Sequence, residues 1–232
     1  MYNSRRVVSV LLAGGKSQRF SLNVPKQLFE LNGKPIIEYS LYVFETNPLV
    51  DEVIVTVNSL FIYEIERICS KFNKVRKVVE GGETRSISSR IGVLSIDEEN
   101  SYVLIHDSAR PFVTHSLIEE LLKKVEETGA VIPCVKSLDS LAQIEDGRVV
   151  KVLERDKILR VQTPQCFKYE VIYLAYKSTE GTFIDLPDDS SLVIQKNLAT
   201  VRVIEGDINN IKITTSEDIK IAMSILGTFQ VT

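Results

Sequence analysis

The chain has 232 residues, of which 44% are hydrophobic and 25% charged, with a formal net charge of -3. A chain of this length buries about three quarters of the surface it would expose unfolded, so one core suffices, and its charge balance supplies no overall basic field for a nucleic-acid backbone. Its three cysteines, Cys69, Cys134 and Cys166, are widely spaced and odd in number, which argues against a disulfide framework or a four-thiolate zinc site and predicts small buried thiols in a reducing compartment.

After the polar opening Met1–Arg6, the run Val7–Leu12 reads as a buried strand. It ends at Gly14, too short for a signal peptide or a membrane span, so a cytoplasmic protein without membrane association is expected. The strand opens into Ala13-Gly14-Gly15 and then displays Lys16, Arg19 and, after Pro25, Lys26 and Gln27. Next come a helix over Pro35–Thr46, a strand over Glu52–Val57, a helix over Leu60–Phe72 and a strand over Val75–Val79. A helix over Thr84–Ser95, a strand over Tyr102–His106, a helix over His115–Thr128 and a strand over Ala130–Val135 continue the alternation. Short apolar strands separated by helices predict an α/β fold: a Rossmann-like, mostly parallel sheet with helices on both faces.

Beyond Val135 the pattern changes. Leu138–Ile144 and Val149–Leu153 flank Glu145-Asp146-Gly147-Arg148, and Asp-Gly between apolar runs signals a β-hairpin. The reading is a protruding arm at about residues 136–158 whose apolar side chains need a partner surface, with a second subunit as the natural candidate. Arg160–Phe167 follows, then a helix from about Lys168 to Lys177, the segment Asp188–Lys196, a strand over Thr200–Glu205 and a helix opening at Thr215 with Asp218 as its capping-box partner. Without repeats or Pro/Gly linkers, residues 1–232 read as a single domain with an arm.

The glycine turn after the first strand lets backbone N–H groups approach phosphate oxygens, and Lys16, Arg19 and Lys26 can neutralise charge on phosphorus. Its spacing is neither that of the P-loop nor that of the dinucleotide fingerprint; the alternative is an ordinary turn with solvated cations, and Arg19 followed by Pro25-Lys26-Gln27 favours a nucleoside triphosphate. Gly81-Gly82-Glu83-Thr84-Arg85-Ser86-Ile87-Ser88 follows a strand; its backbone at Gly82 and the Ser88 hydroxyl suit the edge of a base, against a plain turn capped by Thr84. In His106-Asp107-Ser108-Ala109-Arg110-Pro111, Asp107 suits a ribose, an acceptor hydroxyl or magnesium and Arg110 an anion, while the alternative pairs the two with each other. His106 reads as a packing residue and His115 as the surface start of a helix. Arg155, Thr163 and Lys212 are polar groups whose residue types alone do not separate a site from a solvated face.

Taken in order, LAGGKSQRF…PKQ, GGETRSIS, HDSARP, QTPQ and NNIKIT resemble the 2-C-methyl-D-erythritol 4-phosphate cytidylyltransferase family of isoprenoid biosynthesis, over Val7 to Leu226. The resemblance implies a homodimeric nucleotidyltransferase that transfers CMP from CTP to a polyol phosphate and releases pyrophosphate, with Mg2+ bound mainly through the CTP phosphates. By matching position it makes Arg19 and Lys26 the catalytic cations and places the nucleotide on Ala13, Gly14, Gly15, Gly82, Ser88 and Asp107. Asp107, Arg110, Ser140, Arg155, Thr163 and Lys212 would face the acceptor, with Arg155 crossing from the arm into the partner's site. No protein metal ligands are implied.

Three positions depart from the family pattern. Ser17 replaces a glycine, Ser140 stands in Asp139-Ser140-Leu141-Ala142 where Asp-Thr-x-Lys is usual, and Pro187 replaces a threonine before Asp188-Asp189. The last two bear on the acceptor, so a ribitol 5-phosphate cytidylyltransferase, with the same reaction on another polyol, is the alternative. A glycosyltransferase would need an Asp-x-Asp motif that the chain lacks, and a non-catalytic nucleotide sensor would have no use for transition-state cations. The acceptor phosphate is already an anion and needs no general base, which accounts for a site without a histidine or cysteine nucleophile.

Overall fold

A computed structural model describes residues 1–15 and 25–229; the expectations for Lys16, Ser17 and Arg19 fall outside the described residues. In chain order the elements are β1 (Arg6–Ala13), the short pair β2 (Glu30–Leu31) and β3 (Lys34–Pro35), α1 (Ile36–Thr46), β4 (Glu52–Val57), α2 (Ile62–Cys69), β5 (Val75–Glu80), α3 (Arg85–Leu94), β6 (Ser101–Asp107), α4 (His115–Thr128) and β7 (Ala130–Lys136). There follow β8 (Ala142–Glu145), β9 (Arg148–Val152), β10 (Leu159–Val161), β11 (Gln165–Lys168), α5 (Tyr169–Lys177), α6 (Asp189–Gln195), β12 (Val201–Glu205) and α7 (Ser216–Phe229).

The eight-stranded sheet runs β5-β4-β1-β6-β11-β7, with β10 continuing the β11 edge of β7 and β12 along its other edge. β5, β4, β1 and β6 are parallel neighbours and β12 is parallel to β7, whereas β10 and β11 run antiparallel. The mostly parallel, doubly covered sheet expected from the alternation is present. β1 explains the apolar run: Val7, Leu11 and Ala13 pack with Phe44 of α1, Ile65 of α2 and Leu121 of α4, while Val8, Val10 and Leu12 pack with Val93 of α3, Ile172 of α5 and Val193 of α6. Each fully buried valine, leucine, isoleucine or phenylalanine among them contributes roughly 1.5–3 kcal/mol. A smaller cluster of Leu31, Ile36, Phe112, Ile213 and Ala222 seats α7 and, through Ile213, the segment that carries Lys212.

Three boundaries differ from the sequence reading. The helix expected over Leu60–Phe72 divides into a 3-10 turn at Ser59–Phe61, which the Asn58 side chain caps through the Leu60 N–H, and α2, which stops at Cys69. Arg160–Phe167 is two strands, because Pro164 has no N–H to give a ladder. The first arm strand is paired only from Ala142, since Ser137 Oγ donates to the Asp139 carbonyl and turns the preceding residues away. Asp146 and Gly147 do form the hairpin turn, both with positive φ. Asn32 and Gly33 form a second such turn that the periodicity did not single out.

The chain leaves β1 towards β4 on one side and returns to β6 on the other. The loops after β1 and β6 therefore diverge at their carboxyl ends, which is where an open α/β sheet has room for a ligand.

Candidate active site

A cleft of about 310 Å³ opens at that point, lined among others by Ala13, Gly14, Gly15, Lys26, Ser88, Asp107 and Lys212. Its floor is the end of β1. Gln27 is buried and its Nε2 donates to the Ala13 carbonyl at 2.8 Å, which pins the turn Lys26–Leu28 beneath the glycines. Lys26 Cε lies 4.0 Å from where a Cβ on Gly15 would stand, so the lysine stem lies along the glycine backbone.

The second wall is the start of α3. Thr84 is its N-cap, accepting from the Ile87 N–H and donating to the Ile184 carbonyl at 2.6 Å. The preceding turn has room for no side chain: a Cβ on Gly81 would lie 2.8 Å from Ser88 Oγ, and one on Gly82 would lie 2.0 Å from Ile87 Cγ2. Ser88 Oγ accepts from the Gly82 N–H at 3.1 Å and lies 3.0 Å from the Thr84 carbonyl, while the Gly81 N–H is bonded to the Val57 carbonyl. Both glycine N–H groups are thus engaged in shaping the turn. Ser88 faces the cleft and Gly82 lies outside its lining.

Charge gathers on the third wall. Asp107 ends β6 and accepts from Arg85 Nε at 2.8 Å on one oxygen, with Lys212 Nζ at 2.8 Å and Arg110 Nε at 3.9 Å from the other. Burial pushes the Asp107 carboxyl up, but Arg85, Lys212 and Arg110 overcome it and hold it well below the usual carboxylate range. Arg85 also lies 2.8 Å from Asp189; burial disfavours its charge, yet the two carboxylates drive its pKa upward. Lys26, Arg85 and Lys212 outnumber Glu83 and Asp107 in the lining, so the cleft carries a net positive charge suited to an anion.

Behind this wall the remaining groups hold it in place. The His106 Nε2 lies 3.0 Å from the Arg110 carbonyl, which can only accept, so this nitrogen carries the proton and Nδ1 accepts from Thr163 Oγ1 at 3.0 Å. Thr163 Oγ1 in turn accepts from the Asp107 N–H at 3.1 Å. Burial lowers the His106 pKa to about 4, so the ring is neutral near pH 7. Gln162 pairs with the main chain of Asp207, donating to its carbonyl and accepting from its N–H, and Asn210 Nδ2 donates to the Thr163 carbonyl. These bonds anchor the segment that delivers Lys212.

The structure thus brings Ala13, Gly14, Gly15, Lys26, Ser88, Asp107 and Lys212 to one cleft. Arg110 lies just behind it, its Nη1 donating to the Asn210 carbonyl at 2.8 Å. Thr163 is buried and supports Asp107 from the side away from the cleft. Ser140 and Arg155 are exposed on the arm and do not line the cleft; Arg155 Nη1 donates to the Leu138 carbonyl at 3.2 Å. Arg85 and Asp189 escaped the sequence reading although both stand in motifs it used. An arginine directly after an N-cap threonine, at the mouth of a parallel sheet, was the available signal for Arg85.

Glycine backbone, a helix N-terminus and fixed cations at the switch point of a doubly wound sheet are the parts of an α/β nucleotidyltransferase. The sequence profile described as IspD, 2-C-methyl-D-erythritol 4-phosphate cytidylyltransferase, matches residues 7–228. The chain belongs to this family. Proteins of that name from Clostridium novyi and Thermotoga neapolitana are 38% and 36% identical to it, each over 94% of this chain and over 95% and 96% of their own lengths. The crystal structure of 4-diphosphocytidyl-2C-methyl-D-erythritol synthase from Anaerococcus prevotii superposes with a TM-score of 0.84 at 29% identity, covering 96% of both chains. The Francisella tularensis 2-C-methyl-D-erythritol 4-phosphate cytidylyltransferase gives 0.79 at 28% identity, over 94% of this chain and 98% of that one. Among the described residues no helix is long and apolar enough to cross a membrane.

Proposed function

We propose that the protein transfers the CMP group of CTP to 2-C-methyl-D-erythritol 4-phosphate in cytoplasmic isoprenoid biosynthesis. An oxygen of the acceptor phosphate forms a bond to the α-phosphorus of CTP, the bond from that phosphorus to the bridging oxygen breaks, and pyrophosphate leaves. The observation that carries this reading is the net cationic cleft between the ends of β1 and β6, in a chain of this family.

The residues divide the work by position. The backbone of Ala13, Gly14 and Gly15 borders the triphosphate, and Lys26, with Arg19, offsets the charge that grows on the α-phosphorus. The turn shaped by Gly82 and Ser88 receives cytosine. Asp107 meets the ribose and the acceptor hydroxyls. Lys212 and Arg110, steadied by Thr163, lie on the acceptor side. Ser140 and Arg155 reach the acceptor phosphate from the arm of a partner subunit, which also covers the arm's apolar surface in a homodimer.

The cleft offers a magnesium ion few protein ligands, since both Asp107 oxygens already face Arg85, Lys212 and Arg110. Asp107 and Glu83 are its carboxylates, and the described residues hold no group of three or more acidic, histidine or cysteine side chains able to cage a cation. A magnesium ion would therefore be held mainly through the CTP phosphates and water. Bound there, it would neutralise charge on the triphosphate.

Pyrophosphate release tests the reading, measured with CTP against a panel of polyol phosphates and then with GTP and ATP in place of CTP. Turnover with methylerythritol phosphate and CTP at least about tenfold above every other pair is expected, because a pocket built for one base and one polyol leaves polar groups unpaired with the rest. Preference for ribitol 5-phosphate would reassign the acceptor, and equal turnover with GTP would remove the assignment of the turn at Gly82 to cytosine.

A further inference from the structure

Asp189 opens α6 and is fully buried, outside the lining of the cleft. One of its oxygens accepts from the Tyr176 hydroxyl at 2.6 Å and from the Ser89 hydroxyl; the other lies 2.8 Å from Arg85 Nη1. Arg85 Nε reaches onward to Asp107 at 2.8 Å, and Asp107 holds Lys212 at 2.8 Å. A line of contacts therefore runs from the packed helices α3, α5 and α6 to the surface that meets substrate. The Arg85–Asp189 contact lacks hydrogen-bond alignment, so charge holds it. A carboxylate taken out of water needs a compensating cation, and Arg85 is the one beside it.

We propose that Asp189 is a positioning residue for nucleotidyl transfer: with Tyr176 and Ser89 it clamps Arg85, and through Arg85 it sets where the Asp107 carboxylate and the Lys212 ammonium stand in the cleft. Asp107 is drawn by cations on two sides. With Asp189 neutral, Arg85 is held by Asp107 alone and can follow it, so the carboxylate loses its fixed reference. The inference rests on the reading of Asp107 as a substrate contact.

Asp189→Asn separates charge from structure, because the amide oxygen still accepts from Tyr176 and Ser89 while the attraction for Arg85 disappears. In the full-length enzyme the test measures kcat/KM for Asp189→Asn, Arg85→Gln, the double variant and Asp107→Asn, each normalised to folded protein by thermal unfolding. Each single change is expected to lower kcat/KM about tenfold or more, and the double variant to fall no more than about twofold below Arg85→Gln, because residues acting through one another are not additive. Losses that multiply in the double variant, or wild-type kcat/KM in Asp189→Asn, overturn the clamp. If Asp189→Asn does not fold, Tyr176→Phe with and without Arg85→Gln makes the same comparison: its loss should vanish in the Arg85→Gln background, and persistence overturns the clamp. Wild-type kcat/KM in Asp107→Asn would instead overturn the reading of the cleft, and the clamp with it, whereas a crippled Asp107→Asn beside multiplicative losses overturns the clamp alone.

Discussion

Lys26 enters the cleft from a short turn that Pro25 initiates and Gln27 pins to the Ala13 carbonyl. A cation delivered by such a turn meets charge that develops in the reaction without reorganising first, and removal of a fixed donor of this kind costs on the order of a hundredfold in kcat. Lys26→Ala is therefore expected to lose about that much in kcat while its affinity for CTP changes less, as rapid-quench and binding measurements would show. A variant with near-normal kcat would take Lys26 out of the mechanism. His106 makes a different prediction, because its ring is buried and neutral with a pKa lowered to about 4. The unfolded chain takes up a proton on this histidine below about pH 6.5 while the folded protein refuses it until about pH 4, so stability falls as pH drops through that window, by about 3 kcal/mol in all. Asp107 acts lower: its folded pKa is depressed well below 3.8, so its contribution is present above that value and is lost only as pH falls through the folded pKa. Melting temperatures between pH 7 and pH 4.5 should drop in the wild type and drop less in His106→Gln.

The strand-to-helix turn before α3 shows how an element shapes a site. The Gly82 position admits no Cβ because Ile87, one turn into the helix, occupies the space, and Ile87 is held by the helix that Thr84 caps. Gly82→Ala must displace a β-branched side chain or the helix start, at a cost of about 1–3 kcal/mol. The same displacement moves Ser88, so the KM for CTP should rise together with the loss of stability; a variant with wild-type melting temperature and unchanged KM would mean that the turn does not depend on this contact. Thr84→Ala removes both the cap and the bond to the Ile184 carbonyl, for which about 1 kcal/mol or somewhat more is expected by denaturant titration.

At the scale of the molecule the arm is the feature that one protomer does not explain. All of β8 and β9 is exposed, including Ile144, Val149 and Val152 at 66%, 63% and 65%, and the two strands form a sheet of their own. An isolated hairpin is marginal in water, and this is the surface that the proposed homodimer would cover. If two copies exchange arms over each other's clefts, Arg155→Ala and Lys26→Ala should complement. A mixed dimer would hold one site lacking both residues and one lacking neither, so two inactive proteins should regain up to about a quarter of wild-type activity as subunits exchange at random. No recovery despite exchange demonstrated by mass spectrometry would place Arg155 in its own subunit's chemistry or in none.

Elements decided by local pattern are legible in the sequence itself: β4 and α4 fall at the residues their periodicity marks, and Asp146-Gly147 forms the turn its chemistry demands. The ordered motifs likewise carry the glycine floor, Lys26, Ser88, Asp107 and Lys212 to one cleft, because each follows a strand whose carboxyl end lies at the same sheet edge. The antiparallel insertion of β11 between β6 and β7 is not legible there, since pairing partners far apart in the chain leave no local trace. Nor are the roles of Arg85 and Asp189 or the withdrawal of Thr163 behind Asp107. An arginine, an aspartate and a threonine have the same appearance in sequence whether they meet solvent, substrate or one another. Only the packing of α3, α5 and α6 against the sheet places two buried carboxylates on either side of one guanidinium, because the strength of a charge depends on its neighbours and its distance from water, and both are properties of the folded chain.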